Sequence, residues 1–178
     1  MPITRKSKPT LLRRCGFVSG VGGVITLEDN QLIEKDRIHY RACKALVGLF
    51  RDQVEEGSKC VHSRIFNYVL HPESKYVNCG SSREASSGSP THPEHVVPCA
   101  FLIKECFRLI EENSFSDEEI AKLLQKHWKI ATISKAEAKK LDSELGLKSK
   151  MPEGWRLEEG DTLARLELAG ITIDAKLL

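Results

Sequence analysis

The stretch Thr91-His92-Pro93-Glu94-His95-Val96-Val97-Pro98-Cys99 decides how this chain reads. Val96 and Val97 are β-branched and apolar, suited to a pleated, half-buried strand, and Pro98 lacks the N–H that would carry a ladder further. The strand is read as residues 94–98. Two imidazoles and a carboxylate, His92, Glu94 and His95, stand at its lip. An acid beside a histidine orients an imidazole or holds a cation, and packing alone does not require it. The plainer alternative is a hydrogen-bonded structural histidine at the end of an apolar strand.

Upstream of the strand, residues 80–90 (G-S-S-R-E-A-S-S-G-S-P) are small and polar and read as a loop. Before it lie a short strand at 75–79 and a segment at 61–70 that fits helix or strand, helix preferred. A long helix spans 31–56, with N-cap chemistry in Glu28-Asp29-Asn30 and a stop at Gly57. Its buried stripe is Ile38, Ala42, Ala45, Leu46, Leu49 and Phe50. Downstream, 99–113 is amphipathic, and Ser116 with Glu119 forms a capping box for a second helix. Residues 128–133 alternate as a strand. Ser134 with Glu137 opens a helix to about Leu145. A linker at 148–153, Trp155, a short helix at 161–169 and a strand at 171–173 close the chain. The fold class is α+β: residues 1–20 form a basic arm and 21–178 a single domain.

With 178 residues, 40% hydrophobic and 29% charged, the chain has enough material for a packed core and lacks the composition of a disordered one. No apolar run approaches a bilayer span, and Met1 to Ser19 holds no signal-type apolar segment, so no membrane partner and a cytoplasmic location are expected. The net charge is +2, but Arg5, Lys6, Lys8, Arg13 and Arg14 give the first fourteen residues five positive charges and no acid. Such an arm can follow a phosphate backbone, or be a solvated terminus. Arg37, Arg41, Lys44 and Arg51 on the long helix face the same choice. The six cysteines contain no C-x-x-C and read as reduced thiols. Cys60, His62 and Cys79 are a thin alternative as zinc ligands. His92-x-Glu94 followed by Pro98-Cys99 imitates a zinc deaminase signature, but position 102 is Leu where that signature needs its second cysteine. Cys99, opening an amphipathic helix, reads as core.

The order acid, His, apolar, apolar, Pro in Glu94-His95-Val96-Val97-Pro98 resembles the first strand of the ββα-metal (HNH-type) nucleases, written D/E-H-I/V-I/V-P. The resemblance implies a ββα-metal element over about 91–146, with a helical insertion between its two strands and further helices packed around it. It implies hydrolysis of phosphodiesters with one divalent ion, magnesium or manganese with zinc possible, and nucleic acid as the partner, DNA favoured over RNA. By position His95 is the general base, and Glu94 is a metal ligand or an orienting acid. Where such families read K-x-E-H-x-x-L, this chain has Lys135-Ala136-Glu137-Ala138-Lys139-Lys140-Leu141. Ala138 holds no metal, so Glu137 is the nearest ligand, with His92 and Asp142 behind it; Glu137 is also the capping-box glutamate. Met151-Pro152-Glu153-Gly154-Trp155, with Ala164-Arg165 and Ala169-Gly170-Ile171, resembles a C-terminal module of small prophage-type proteins. Arg13, Arg14, Arg41 and Arg165 are the expected nucleic-acid contacts. The alternative is a non-catalytic nucleic-acid-binding or protein-interaction module on a degenerate scaffold of this kind.

Overall fold

The computed structural model describes residues 27–175; the expected basic arm, with Arg13 and Arg14, lies outside them. Helix α1 (Leu27–Glu55) is followed by the short α2 (Ile65–Val69) and α3 (Ser74–Val77), strand β1 (Asn78–Ser82) and α4 (Arg83–Ser86). Then come β2 (Thr91–His95), α5 (Cys99–Glu112), α6 (Asp117–His127), β3 (Ile130–Ser134) and α7 (Lys135–Lys139). A π turn (Lys140–Glu144), α8 (Ala164–Leu168) and β4 (Ile173–Ala175) complete the mixed α+β architecture. No helix among the described residues is long and apolar enough to cross a membrane.

The sheet runs β2-β3-β1-β4, with β2 antiparallel to β3, β3 parallel to β1, and β1 antiparallel to β4. The pair β2–β3 brackets α5 and α6, and α7 follows β3 directly, the order that the sequence predicted. Boundaries differ in several places, among them the last strand, expected at 171–173 and formed at Ile173–Ala175, and the long helix, which begins at Leu27 instead of residue 31. The strand expected at 94–98 pairs as 91–95, with Pro93 tolerated because β2 is an edge strand. The strand expected at 75–79 is a helical turn followed by β1, and the expected loop after it holds the end of β1 and all of α4. Ser82 caps α4 by accepting from the Ala85 N–H, which is how a serine-rich segment forms a helix instead of an open loop. Trp128 caps the end of α6 and does not begin β3. Gly80 is required where it stands, because a Cβ there would lie 2.5 Å from the Asp174 carbonyl of β4.

Two apolar cores flank the sheet. The larger packs α1, α5 and α6 around Leu46, Phe50, Leu102, Leu109, Ile120, Leu124 and Trp128. The smaller gathers Ala131, Ile133, Leu141, Leu147, Leu166 and Ile171. The diagnostic valines lie just past the end of β2 and divide between the cores: Val97 enters the first and Val96 the second. On α1, Cys43 and Val47 are buried where Ala45 and Leu49 were expected, a rotation of the stripe by part of a turn. Arg37, Lys44 and Arg51 each face a carboxylate, Glu34, Glu118 and Asp117, so three of the four α1 cations that read as either a solvated or a nucleic-acid face sit in surface ion pairs.

His39 is fully buried under the Trp128 ring (centroids 5.1 Å apart), and neither of its nitrogens has a hydrogen-bond partner among the described residues. Burial, with Lys129 adding to it, holds its pKa down at about 3; burial and then Lys126 hold His127 down at about 4. Unfolded imidazoles protonate near 6.5, so below that pH the unfolded chain gains protons that the folded chain refuses. Each histidine then removes about 1.4 kcal/mol of stability per pH unit until its folded pKa is reached. His39→Phe keeps a ring against Trp128 and is expected to flatten the fall in urea stability between pH 6.5 and 4. An acid limb as steep as that of the wild type would refute this account of His39.

Candidate metal centre and cleft

Adjacent residues of a strand point to opposite faces, and this separates the two residues most prominent in the sequence. Glu94 turns toward the smaller core, where its carboxylate meets the Arg165 guanidinium and lies 3.4 Å from the exposed His92 ring. His95 turns toward the larger core, where its Nε2 is 3.0 Å from Oε1 of Glu73. That same Glu73 oxygen accepts from the Trp128 indole N–H at 2.9 Å. Cys99, one turn past the end of β2 and the first residue of α5, brings its thiol to the same place.

Glu73, His95 and Cys99 each offer one ligand atom, and the three atoms lie within 4.8 Å of one another. They are the only such group among the described residues; Cys60, His62 and Cys79 are not brought together, and Cys79 is buried with its thiol donating to the Ile130 carbonyl. The three can hold a metal ion. Burial first, and then the charges of Glu73 and Glu94, push the Cys99 thiol far above its ordinary value. Such a thiol is a poor free nucleophile, and a Cys–His hydrolase reading has no support from it. A cation is what would convert it to a thiolate ligand.

The group forms the floor of an open cleft of about 570 Å³, with Arg64, Lys148, Asn67 and Ser149 on its walls.

The other expected site residues lie apart from this floor. Glu137 completes the capping box at α7: its Oε2 accepts from the Ser134 N–H at 2.7 Å and from the Ser82 hydroxyl at 2.6 Å. It does not converge with Glu94 and His92 on a shared cation. Ser134→Ala is expected to cost about 1 kcal/mol, the worth of an N-cap. Glu137→Gln keeps an acceptor for both donors and should leave metal content unchanged; metal loss in that variant would return Glu137 to the ligand set. Arg41 is exposed on α1 and does not line the cleft.

Arg165 is wholly buried. Its guanidinium donates to the carbonyls of Val96, His95 and Leu147 and pairs with Glu94. It therefore fastens α8 to the strand exit from inside the protein, with no face toward a phosphate.

Sequence reasoning missed Glu73 and dismissed Cys99 as core. Glu73 is separated from His95 by 22 residues and carries no local pattern. The usable signal was Trp128, a buried indole whose N–H needs an acceptor.

Comparison with family models, with curated proteins and with solved structures found no match. Among the described residues the molecule is thus defined by its mixed α+β fold and by one acid, imidazole and thiol group, the acid and thiol buried, beneath an open cleft.

Proposed function

We propose that this chain hydrolyses phosphodiester bonds of nucleic acid, DNA favoured, in the cleft above Glu73, His95 and Cys99, and that these three hold one divalent ion. The observation that carries the reading is the meeting of three ligand atoms at the floor of a cleft rimmed by Arg64 and Lys148. A thiolate, an imidazole and a carboxylate suit zinc better than the magnesium or manganese that an all-carboxylate set would take. Three protein ligands with one side open to a cleft are the arrangement of catalytic zinc sites. When bound, the ion supplies Lewis-acid polarisation of a phosphoryl oxygen.

The chain's own groups supply the rest. The Trp128 indole N–H holds the Glu73 carboxylate in place beside the His95 ring. Support of this kind is what keeps a ligand shell in geometry. Arg64 and Lys148 are placed to bind the non-bridging oxygens of a phosphate entering the cleft. In this reading His95 serves as a ligand and is no longer a lone general base. The resemblance of Glu94-His95-Val96-Val97-Pro98 to the ββα-metal nucleases supports the same reaction, reached with a different ligand set.

The second reading, a non-catalytic nucleic-acid-binding or interaction module, is favoured by Ala138, and by Glu94 and Glu137 being engaged in structural contacts. Plasmid and oligonucleotide cleavage by protein stripped with a chelator and reloaded with zinc separates the two. Cleavage lost on stripping and restored by zinc supports hydrolysis. A zinc-loaded protein that cuts neither substrate leaves the second reading.

A further inference from the structure

A second groove, of about 420 Å³, adjoins the cleft, and Arg64 lines both. Tyr68 stands in that second groove on α2 and is 75% exposed. Its outward direction follows from helix geometry. Phe66, two residues earlier, is completely buried edge-on to Trp128 (centroids 4.8 Å apart), and a two-residue step of about 200° turns Tyr68 to the opposite side. The helix that presents Tyr68 is therefore anchored on the same tryptophan that holds Glu73.

The charge along the track is one-sided. Among the residues lining the two grooves, Glu73 is the only carboxylate, and it lies buried at the floor between His95 and Trp128. Arg64 sits at the junction, Lys148 on the far wall and His62 on the near one. In a chain with 25 acidic residues against 27 basic ones, an acid-free rim of this length favours a polyanion over an acidic or neutral peptide.

We infer that the track takes single-stranded nucleic acid, with one base stacked on Tyr68 and the following phosphates led over Arg64 toward Lys148 and the cleft floor. An exposed aromatic ring beside cations is how unpaired bases are held without sequence preference, and a duplex hides the faces that such a ring needs. This rests on the proposed function for its substrate class, and its test is made without turnover.

The test is the fluorescence anisotropy of labelled dT12, and of the same strand in a duplex, bound to the full-length chain in chelator. The single strand is expected to bind at least tenfold more tightly than the duplex. Tyr68→Ala should weaken single-strand binding roughly 5- to 150-fold, the worth of one stacked base, while Tyr68→Phe stays within about threefold of wild type. Arg64→Ala should make the salt dependence shallower by about 0.7 in log–log slope. Tyr68 is exposed, so its variants should fold normally, and unchanged melting will verify that. Equal affinity for strand and duplex, or a Tyr68→Ala variant that binds like wild type, would overturn the inference. Tyr68-dependent binding by a protein that cuts nothing would uphold it and sink only the hydrolytic reading.

Discussion

His95→Ala is expected to abolish metal binding and to lower cleavage per folded molecule by roughly 100-fold or more, beyond the roughly 10- to 100-fold that loss of a mere supporting partner costs. His95 Nε2 lies 3.0 Å from Glu73, and both share the neighbourhood of the Cys99 thiol, so removing the ring takes one of three donors from the group. Glu73→Gln should do the same to the metal while keeping an acceptor for the Trp128 indole. The three roles open to His95, ligand, base and structural residue, diverge in this experiment. A histidine acting only as a base would leave metal content intact as cleavage fell. A histidine serving only the fold would lower melting temperature and leave cleavage per folded molecule unchanged. Metal and cleavage lost together, with folding retained, is the outcome the proposed site requires.

Arg165→Met should produce the largest loss of stability of any single change considered for this molecule. The substitution fills most of the same space but removes the donors that serve Val96, His95 and Leu147, and leaves the Glu94 carboxylate without its cation. Breaking one side of a buried pair costs about 3–5 kcal/mol. For a chain of this size that lowers the melting temperature by roughly 6–20 °C. Had Arg165 been a phosphate contact, as its place in the tail suggested, the variant would melt like wild type and lose only salt-dependent binding. An unchanged melting temperature would therefore refute the structural role assigned to it.

What the sequence made legible was the local part of the fold. The two capping boxes, Ser116 with Glu119 and Ser134 with Glu137, form where the residue spacing placed them, because their partners are three residues apart. The order strand, two helices, strand, helix likewise follows from hydrophobic period. The failures lie where the partner is distant. Alternation along β2 sends Glu94 and His95 to opposite faces, and only knowledge of what packs on each face, Arg165 on one and Glu73 on the other, tells which ends in a salt bridge and which in a cleft. Cys99 read as core because it opens an apolar helix, and it is indeed buried. Its neighbours, set by the fold, make it a candidate ligand. Residues 80–90 show the converse: their small polar composition signals a turn, yet pairing with β3 and β4 makes a strand of Gly80 to Ser82.

Cobalt(II) added to the metal-free full-length protein tests the central claim most directly, because a cobalt–thiolate bond gives an absorption band that oxygen and nitrogen ligands do not. The account predicts one cobalt per chain, a thiolate band displaced by zinc, and loss of that band in Cys99→Ser but not in Cys60→Ser. A spectrum without a thiolate band, or a band that survives Cys99→Ser, would contradict a metal centre at Glu73, His95 and Cys99.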